Sequence, residues 1–248
     1  MILLPILRAI KRIIAIVDFI LFTMAMYLLS FLPQSLLSFY RPLFRYWCKS
    51  FIEALGVQLF IHQKYKTQLP QHYLVISNHP SAFEDIGMSS IFKARFLAKE
   101  EMKDWFILGR ISMAAGSLYV KRDNKHSRAE ALQALTDWLE KGESVGLYPE
   151  GGCFDRRLTL PFHTAAFHAA FKTNTAILPV FLQYEAQEDF EWKHQTLIRK
   201  IWEMATARNP RVNYHIFEPI LPHAYADKDA LVDAIEKQYL SWQAQYLE

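Results

Sequence analysis

The residues best suited to chemistry stand at the ends of short apolar runs. Ser77-Asn78-His79-Pro80-Ser81-Ala82-Phe83-Glu84-Asp85 follows Tyr73-Leu74-Val75-Ile76 directly, which sets an imidazole at a strand end, where α/β proteins build their sites. A histidine with a carboxylate a few residues on can form a dyad. The carboxylate fixes the imidazole tautomer and stabilises the imidazolium that forms when the ring takes a proton. By itself the segment also reads as a helix-capping Asn-His followed by a solvated Glu-Asp pair. A second stretch, Phe96-Leu97-Ala98-Lys99, and a third, Gly116 to Arg122, end in cations. Arg122 at a strand end can grip a phosphate with two parallel hydrogen bonds, with Lys99 adding a point charge. Between Lys93 and Arg128 nine basic residues face four acids, which favours an anionic substrate, although Lys121, Lys125 and Arg128 read better as a solvated basic face. In Tyr148-Pro149-Glu150-Gly151-Gly152-Cys153, Glu150 could hydrogen-bond an acceptor hydroxyl while Gly151 allows close backbone approach. An ordinary turn with an exposed Glu fits the same letters. Thr175 to Val180 reads as a buried strand.

These segments need a scaffold, and the apolar pattern supplies one. β-rich runs fall at 58–62, 73–77, 95–98, 117–120, 144–148, 176–184 and 212–217, separated by helical patterns. The clearest helix runs from Arg128 to Lys141, with Ser127 to Glu130 as a capping box and Gly142 as its stop. Others cover about 162–172, 190–206 and 228–246. Strands alternating with helices imply an α/β fold, a single mixed, largely parallel sheet flanked by helices. At 248 residues the chain supports one sizeable core. Two cysteines, Cys48 and Cys153, make neither a disulfide framework nor a metal spacing, and a reducing compartment follows.

The N-terminus predicts a membrane element. Ile13 to Leu32 is twenty residues with one charge, Asp18, about the length a helix needs to cross a hydrocarbon core. A cleaved signal sequence is the poorer reading, because the apolar stretch is too long and no convincing small-x-small site follows it. Asp18, one turn in, could reach the interface or pair with Arg12 or another basic group. After Pro33 a second apolar, basic stretch carries Tyr40, Tyr46 and Trp47, ring types found at headgroup level. Residues 1–50 hold six basic side chains against one acid, a charge suited to anionic lipid. These cations are embedded among Leu, Ile and Phe, which speaks against nucleic acid. An N-terminal apolar helical membrane hairpin is the expectation, spanning the bilayer or lying in its interface.

Taken in order and spacing, the four blocks resemble the glycerophosphate and lysophosphatidate acyltransferase family. His79 matches that family's catalytic His, Arg122 its second-motif Arg, Glu150 and Gly151 its third motif, and Pro179 the central Pro of its fourth. Phe96 to Lys99 and Pro161 to Phe167 also look familial, and the resemblance covers about residues 40–220. Two positions depart from it. The family's Asp, five residues after His, is Glu84 here, with Asp85 next as the alternative, and the Thr-Arg of the third motif is Gly152-Cys153. Arg156 or Arg157 could replace the lost guanidinium. The resemblance implies residues 1–45 as a membrane-associated element and 46–248 as the acyltransferase domain. It implies His79 as general base oriented by Glu84, and transfer from acyl-CoA or acyl-carrier protein to a lysophospholipid hydroxyl, 1-acylglycerol-3-phosphate by default. No cofactor or metal is needed, and the active site is expected on the cytoplasmic side of a membrane. Two rivals are a thiol enzyme with Cys153 as nucleophile and His79 as its base, and a lipid-binding membrane protein without turnover.

Overall fold

The computed structural model describes residues 3–33, 38–81, 83–121, 124–153, 156–192 and 196–248. Among the described residues seven strands form, β1 (Gln58–Gln63), β2 (Leu74–Ser77), β3 (Arg95–Lys99), β4 (Leu118–Val120), β5 (Val145–Leu147), β6 (Ile177–Tyr184) and β7 (Arg211–Ile216). Each falls on a run anticipated above. They make one sheet in the order β1-β7-β6-β2-β5-β3-β4. Every pairing is parallel except β6 with β7. β2 and β5 are buried throughout, and β6 at all but one position, which explains their unbroken apolar spelling. Because β2, β5, β3 and β4 run parallel, the segments leaving them emerge at one edge of the sheet. That edge receives His79, Glu150, Lys99 and Lys121.

Helices cover both faces. On one side α5 (Lys125–Glu140), α6 (Ala165–Thr173) and α9 (Lys228–Leu247) bury Leu135, Phe167, Ile235 and Tyr239 against Leu74 and Ile76. On the other, α2 (Tyr40–Leu55), α3 (Glu84–Ile91) and α8 (Leu197–Ala205) bury Ile52, Met88 and Met204 with Val75, Leu178 and Tyr214. The expected cap of α5 is corrected. Asn124, not Ser127, accepts the free N–H groups of His126 and Ser127 at 2.9 and 3.0 Å, while the Ser127 hydroxyl accepts from the Lys121 N–H at 2.9 Å. An Asn three residues upstream is the stronger cap. Gly142, at φ +73°, ends the helix as expected. α6 starts later than its apolar pattern, and the Phe162 and His163 N–H groups before it bond to Glu236 and to Pro149 O at 2.7 and 2.8 Å. The expected 190–206 helix is two pieces, α7 (Gln187–Phe190) and α8, with 193–195 outside the described residues. α3 and α4 (Leu108–Ala114) have too few turns to show a period in sequence.

The N-terminal helix α1 (Leu3–Leu29) has 27 residues, ~40 Å at about 1.5 Å per residue. Its stretch Ala9–Leu29 is long and apolar enough to cross a membrane. One stripe, Phe19, Phe22, Met26 and Leu29, packs against Trp47 and Tyr40 of α2. The Trp47 indole donates to Thr23 Oγ1 at 2.8 Å and the Tyr40 hydroxyl to Met26 O at 2.7 Å. Ile6, Ile10, Ile13, Val17, Ile20, Met24 and Leu28 face outward. Trp47 and Tyr40 were expected at headgroup level, but they are buried in protein because α1 covers them; only Tyr46 is exposed. Asp18 does not take Arg12 as its partner and instead accepts from the Ser50 hydroxyl at 3.4 Å. The Arg12 guanidinium donates to Leu55 O at 2.7 Å and to Ala205 O. These are the last carbonyls of α2 and α8, where a cation complements both helix dipoles. At the far end Arg110 of α4 donates to Ser30 O at 3.1 Å. Position 45, the expected domain boundary, falls inside α2.

Glu143, just before β5, ties these layers together. It accepts two bonds from the Arg95 fork at 3.0 Å each and one from Arg41 of α2 at 2.6 Å. The Arg95 hydrogen bonds, with Arg41 behind them, hold its pKa down at about 2. A depressed carboxylate stabilises the fold above its unfolded pKa, and that contribution is lost as pH falls from about 4.5 toward 2. With its side chain about a third exposed, solvent screening leaves about 1 kcal/mol. Glu143→Gln should therefore lower the melting temperature at pH 7, and the gap to wild type should close between pH 5 and 2, as followed by circular dichroism.

Candidate active site

Ser77 ends β2, and the next residue fixes the turn. The Asn78 carboxamide donates to Leu182 O at 3.0 Å and accepts from the Leu182 N–H at 2.7 Å, gripping the backbone of β6. His79 follows, 7% exposed. Its Nδ1 lies 2.8 Å from Oε2 of Glu84, the first residue of α3. That carboxylate has no exposed surface. The Ser81 N–H donates to the same oxygen at 3.0 Å, and the Tyr184 hydroxyl to Oε1 at 2.5 Å. Burial pushes Glu84 well above the ordinary carboxylate range, while the bonds from Tyr184 and Ser81 pull it back. A place in the first turn of a helix also favours the ionised form. A carboxylate facing Nδ1 assigns the imidazole proton to that nitrogen and makes Nε2 the basic one. Glu84 is the carboxylate that faces Nδ1. Asp85, half-buried one residue on, lies toward Tyr148, whose phenol is pushed up by burial and then by the Asp85 and Glu84 charges.

The segment after β5 packs against the histidine. The Tyr148 ring stacks on His79 with centroids 4.0 Å apart and planes 14° from parallel. Glu150 is buried, which overturns the exposed-turn reading. Its Oε1 accepts the His79 backbone N–H and its Oε2 the Thr159 N–H, each at 2.7 Å. Each oxygen accepts a backbone N–H, and Glu150 thereby braces the His79 turn. Burial raises its pKa, and the Thr159 and His79 N–H groups oppose this. Gly151, at φ +74°, leaves room for the His163 ring, whose Cδ2 would lie 2.2 Å from any Cβ there.

The expected cations gather less tightly. Lys99 is exposed at the end of β3 and pairs with Glu101 at 3.3 Å. Arg122 lies outside the described residues. Arg156 and Arg157, suggested as replacements for the third-motif Arg, reach the end of α9 instead, at Leu247 O and Glu248, 3.4 Å each. Cys153 is half-buried. Burial, with the charges of Glu84, Glu150 and Asp85, raises its thiol pKa far above the ordinary range, so it stays protonated, against the thiol-nucleophile reading. Asn78, Ser81, Tyr148 and Tyr184 escaped the sequence argument. Only the adjacency of Asn78 to His79 hinted at a part for any of them.

Among known proteins, similar ones are acyltransferases. A 1-acyl-sn-glycerol-3-phosphate acyltransferase of Neisseria gonorrhoeae is 30% identical over 115 residues, 46% of this chain and 45% of that protein. A lyso-ornithine lipid O-acyltransferase of Pseudomonas aeruginosa is 24% identical over 186 residues, 73% of this chain and 70% of that one. The chain thus spans about half the length of the Neisseria protein. The crystal structure of the 1-acyl-sn-glycerophosphate acyltransferase of Thermotoga maritima superposes with a TM-score of 0.62 over 94% of each chain at 18% identity, a likeness of fold. The Acyltransferase family model matches residues 58–183, just over half of the chain and inclusive of His79, Glu84 and Glu150, and the chain belongs to that family.

Proposed function

We propose that this protein transfers a fatty acyl group from a thioester, acyl-CoA or acyl-carrier protein, to a hydroxyl of a lysophospholipid, with 1-acylglycerol-3-phosphate as the first acceptor to consider. One observation carries the reading: a nearly buried imidazole whose Nδ1 is held 2.8 Å from a buried carboxylate. His79 Nε2 takes the proton of the acceptor hydroxyl as its oxygen attacks the thioester carbonyl. The C–S bond then breaks, and the imidazolium returns its proton to the departing thiolate. Glu84 stabilises the imidazolium between these steps. Lys99 and Arg122 would meet an anionic headgroup. α1 would seat the enzyme on the membrane. It is tied to the body at Arg12 and again at Ser30, which favours an in-plane anchor over a free-standing span, with the active site on the cytoplasmic side.

A second reading of the acceptor rests on Cys153. Where relatives in the resemblance place a guanidinium, an uncharged thiol stands near Glu84, Glu150 and Asp85. That environment suits an acceptor without a phosphate monoester. Lyso-ornithine lipid acyltransferases are among the similar proteins.

Two measurements test these statements. In purified full-length protein with acyl-CoA and mixed micelles, His79→Ala should slow thioester release by about two to four orders of magnitude. Near-normal turnover in a folded variant would contradict the base assignment, and no release by wild type would favour a lipid-binding protein. For the acceptor, kcat/KM on lysophosphatidate, a matched monoacylglycerol and lyso-ornithine lipid should differ. The phosphate-grip reading expects lysophosphatidate to lead the neutral lipid by at least about tenfold, the size of one charge-assisted contact. Parity or a reversed order selects the second reading.

A further inference from the structure

The strand that sequence left without a chemical role is β6, yet two of its residues reach the histidine segment. Asn78 grips the Leu182 backbone at 3.0 and 2.7 Å. Two residues on, the Tyr184 hydroxyl donates to Glu84 Oε1 at 2.5 Å. The carboxylate is therefore held at both ends, Oε1 by Tyr184 and Oε2 by His79 and the Ser81 N–H at 2.8 and 3.0 Å. A glutamate has one more side-chain torsion than the aspartate usual in the resemblance, so the direction of its carboxyl group needs a second fixed point. α3 can sit low enough to bring Glu84 there because residue 87 is glycine: a Cβ at that place would lie 1.8 Å from the Tyr214 hydroxyl oxygen.

We propose that Tyr184 is a positioning residue of the His79–Glu84 pair, its hydroxyl holding the carboxyl group turned toward Nδ1. The proposal rests on the acyl-transfer reading for its consequence in turnover, but not for its consequence in proton affinity. The groups facing Glu84 are His79, Tyr184, Tyr214 of β7, and Tyr148, Glu150 and Cys153 from the segment after β5, with Asp85 beside it on α3. Burial and the surrounding carboxylates keep the three phenols and the thiol protonated at neutral pH. Tyr184 is thus a hydrogen-bond donor throughout the working range. A donor to the carboxylate stabilises the less protonated pair, and its removal raises the pair's affinity for a proton.

The test uses full-length wild type, Tyr184→Phe, Glu84→Gln and the double variant, each checked as folded by near-ultraviolet circular dichroism. The His79 titration is followed by NMR on histidine-labelled protein, with the signal assigned from the His79→Ala spectrum. In Tyr184→Phe its midpoint should move to higher pH, with about tenfold greater proton affinity. In turnover, kcat at neutral pH should fall about tenfold or more with KM nearly unchanged. The acid limb of the pH profile should move up with the midpoint. Added to Glu84→Gln, the Tyr184→Phe change should slow the enzyme less than about twofold further, because Tyr184 acts through the carboxylate. An unmoved midpoint, or full additivity in the double variant, overturns the proposal. Failure of the acyl-transfer reading would show separately, as turnover indifferent to His79→Ala, and leaves the titration result to decide on Tyr184.

Discussion

Glu84 is a carboxylate without exposed surface, and that burial governs the arrangement around it. A charge removed from water persists only where hydrogen bonds replace the lost hydration, and a missing partner there costs several kcal/mol. Here the replacements come from His79, Ser81 and Tyr184, with the first turn of α3 behind them. Each partner is itself fixed by something else. Asn78 clips the His79 turn onto β6, Glu150 braces its backbone from the β5 side, and Ser81 is anchored by its hydroxyl to Phe190 O at 2.7 Å. The imidazole has little freedom left, which is the preorganisation general-base work requires.

The sheet makes this convergence possible. Parallel β2, β5, β3 and β4 deliver their following segments to one edge, and β6 supplies the wall on the other side of β2. The antiparallel β6–β7 pair then sets Tyr214 under α3, where Gly87 admits it. α1 and α2 add an apolar N-terminal element without entering the site. Arg12 and Arg41 bind them to the body, the former at two helix C-termini and the latter through Glu143.

Much of this was legible in the chain, for identifiable reasons. Strands buried on both faces, β2, β5 and nearly all of β6, spell as continuous apolar runs, and the other four stand out by their β-rich composition. The five-residue step from His79 to Glu84 is local, and a turn into a helix sets the two side chains 2.8 Å apart. What was hidden depends on distance along the chain. Tyr184 is 100 residues from Glu84 and Glu150 is 71 from the His79 N–H it accepts; no one-dimensional pattern announces such pairs. Trp47 and Tyr40 were misplaced for the same reason, since interfacial and core aromatics share a spelling until the covering helix is known. Ser127 lost its cap role because Asn124 competes for it one turn earlier.

His79 has two neighbouring carboxylates, and only one of them faces Nδ1. Glu84→Gln and Asp85→Asn, assayed side by side for thioester release in full-length folded protein, test directly which of the two serves it. Glu84→Gln should slow turnover about tenfold or more, because it removes the charge that stabilises the imidazolium, and Asp85→Asn should stay within a few fold of wild type. The reverse order, or two variants equally active as wild type, would contradict the dyad described here.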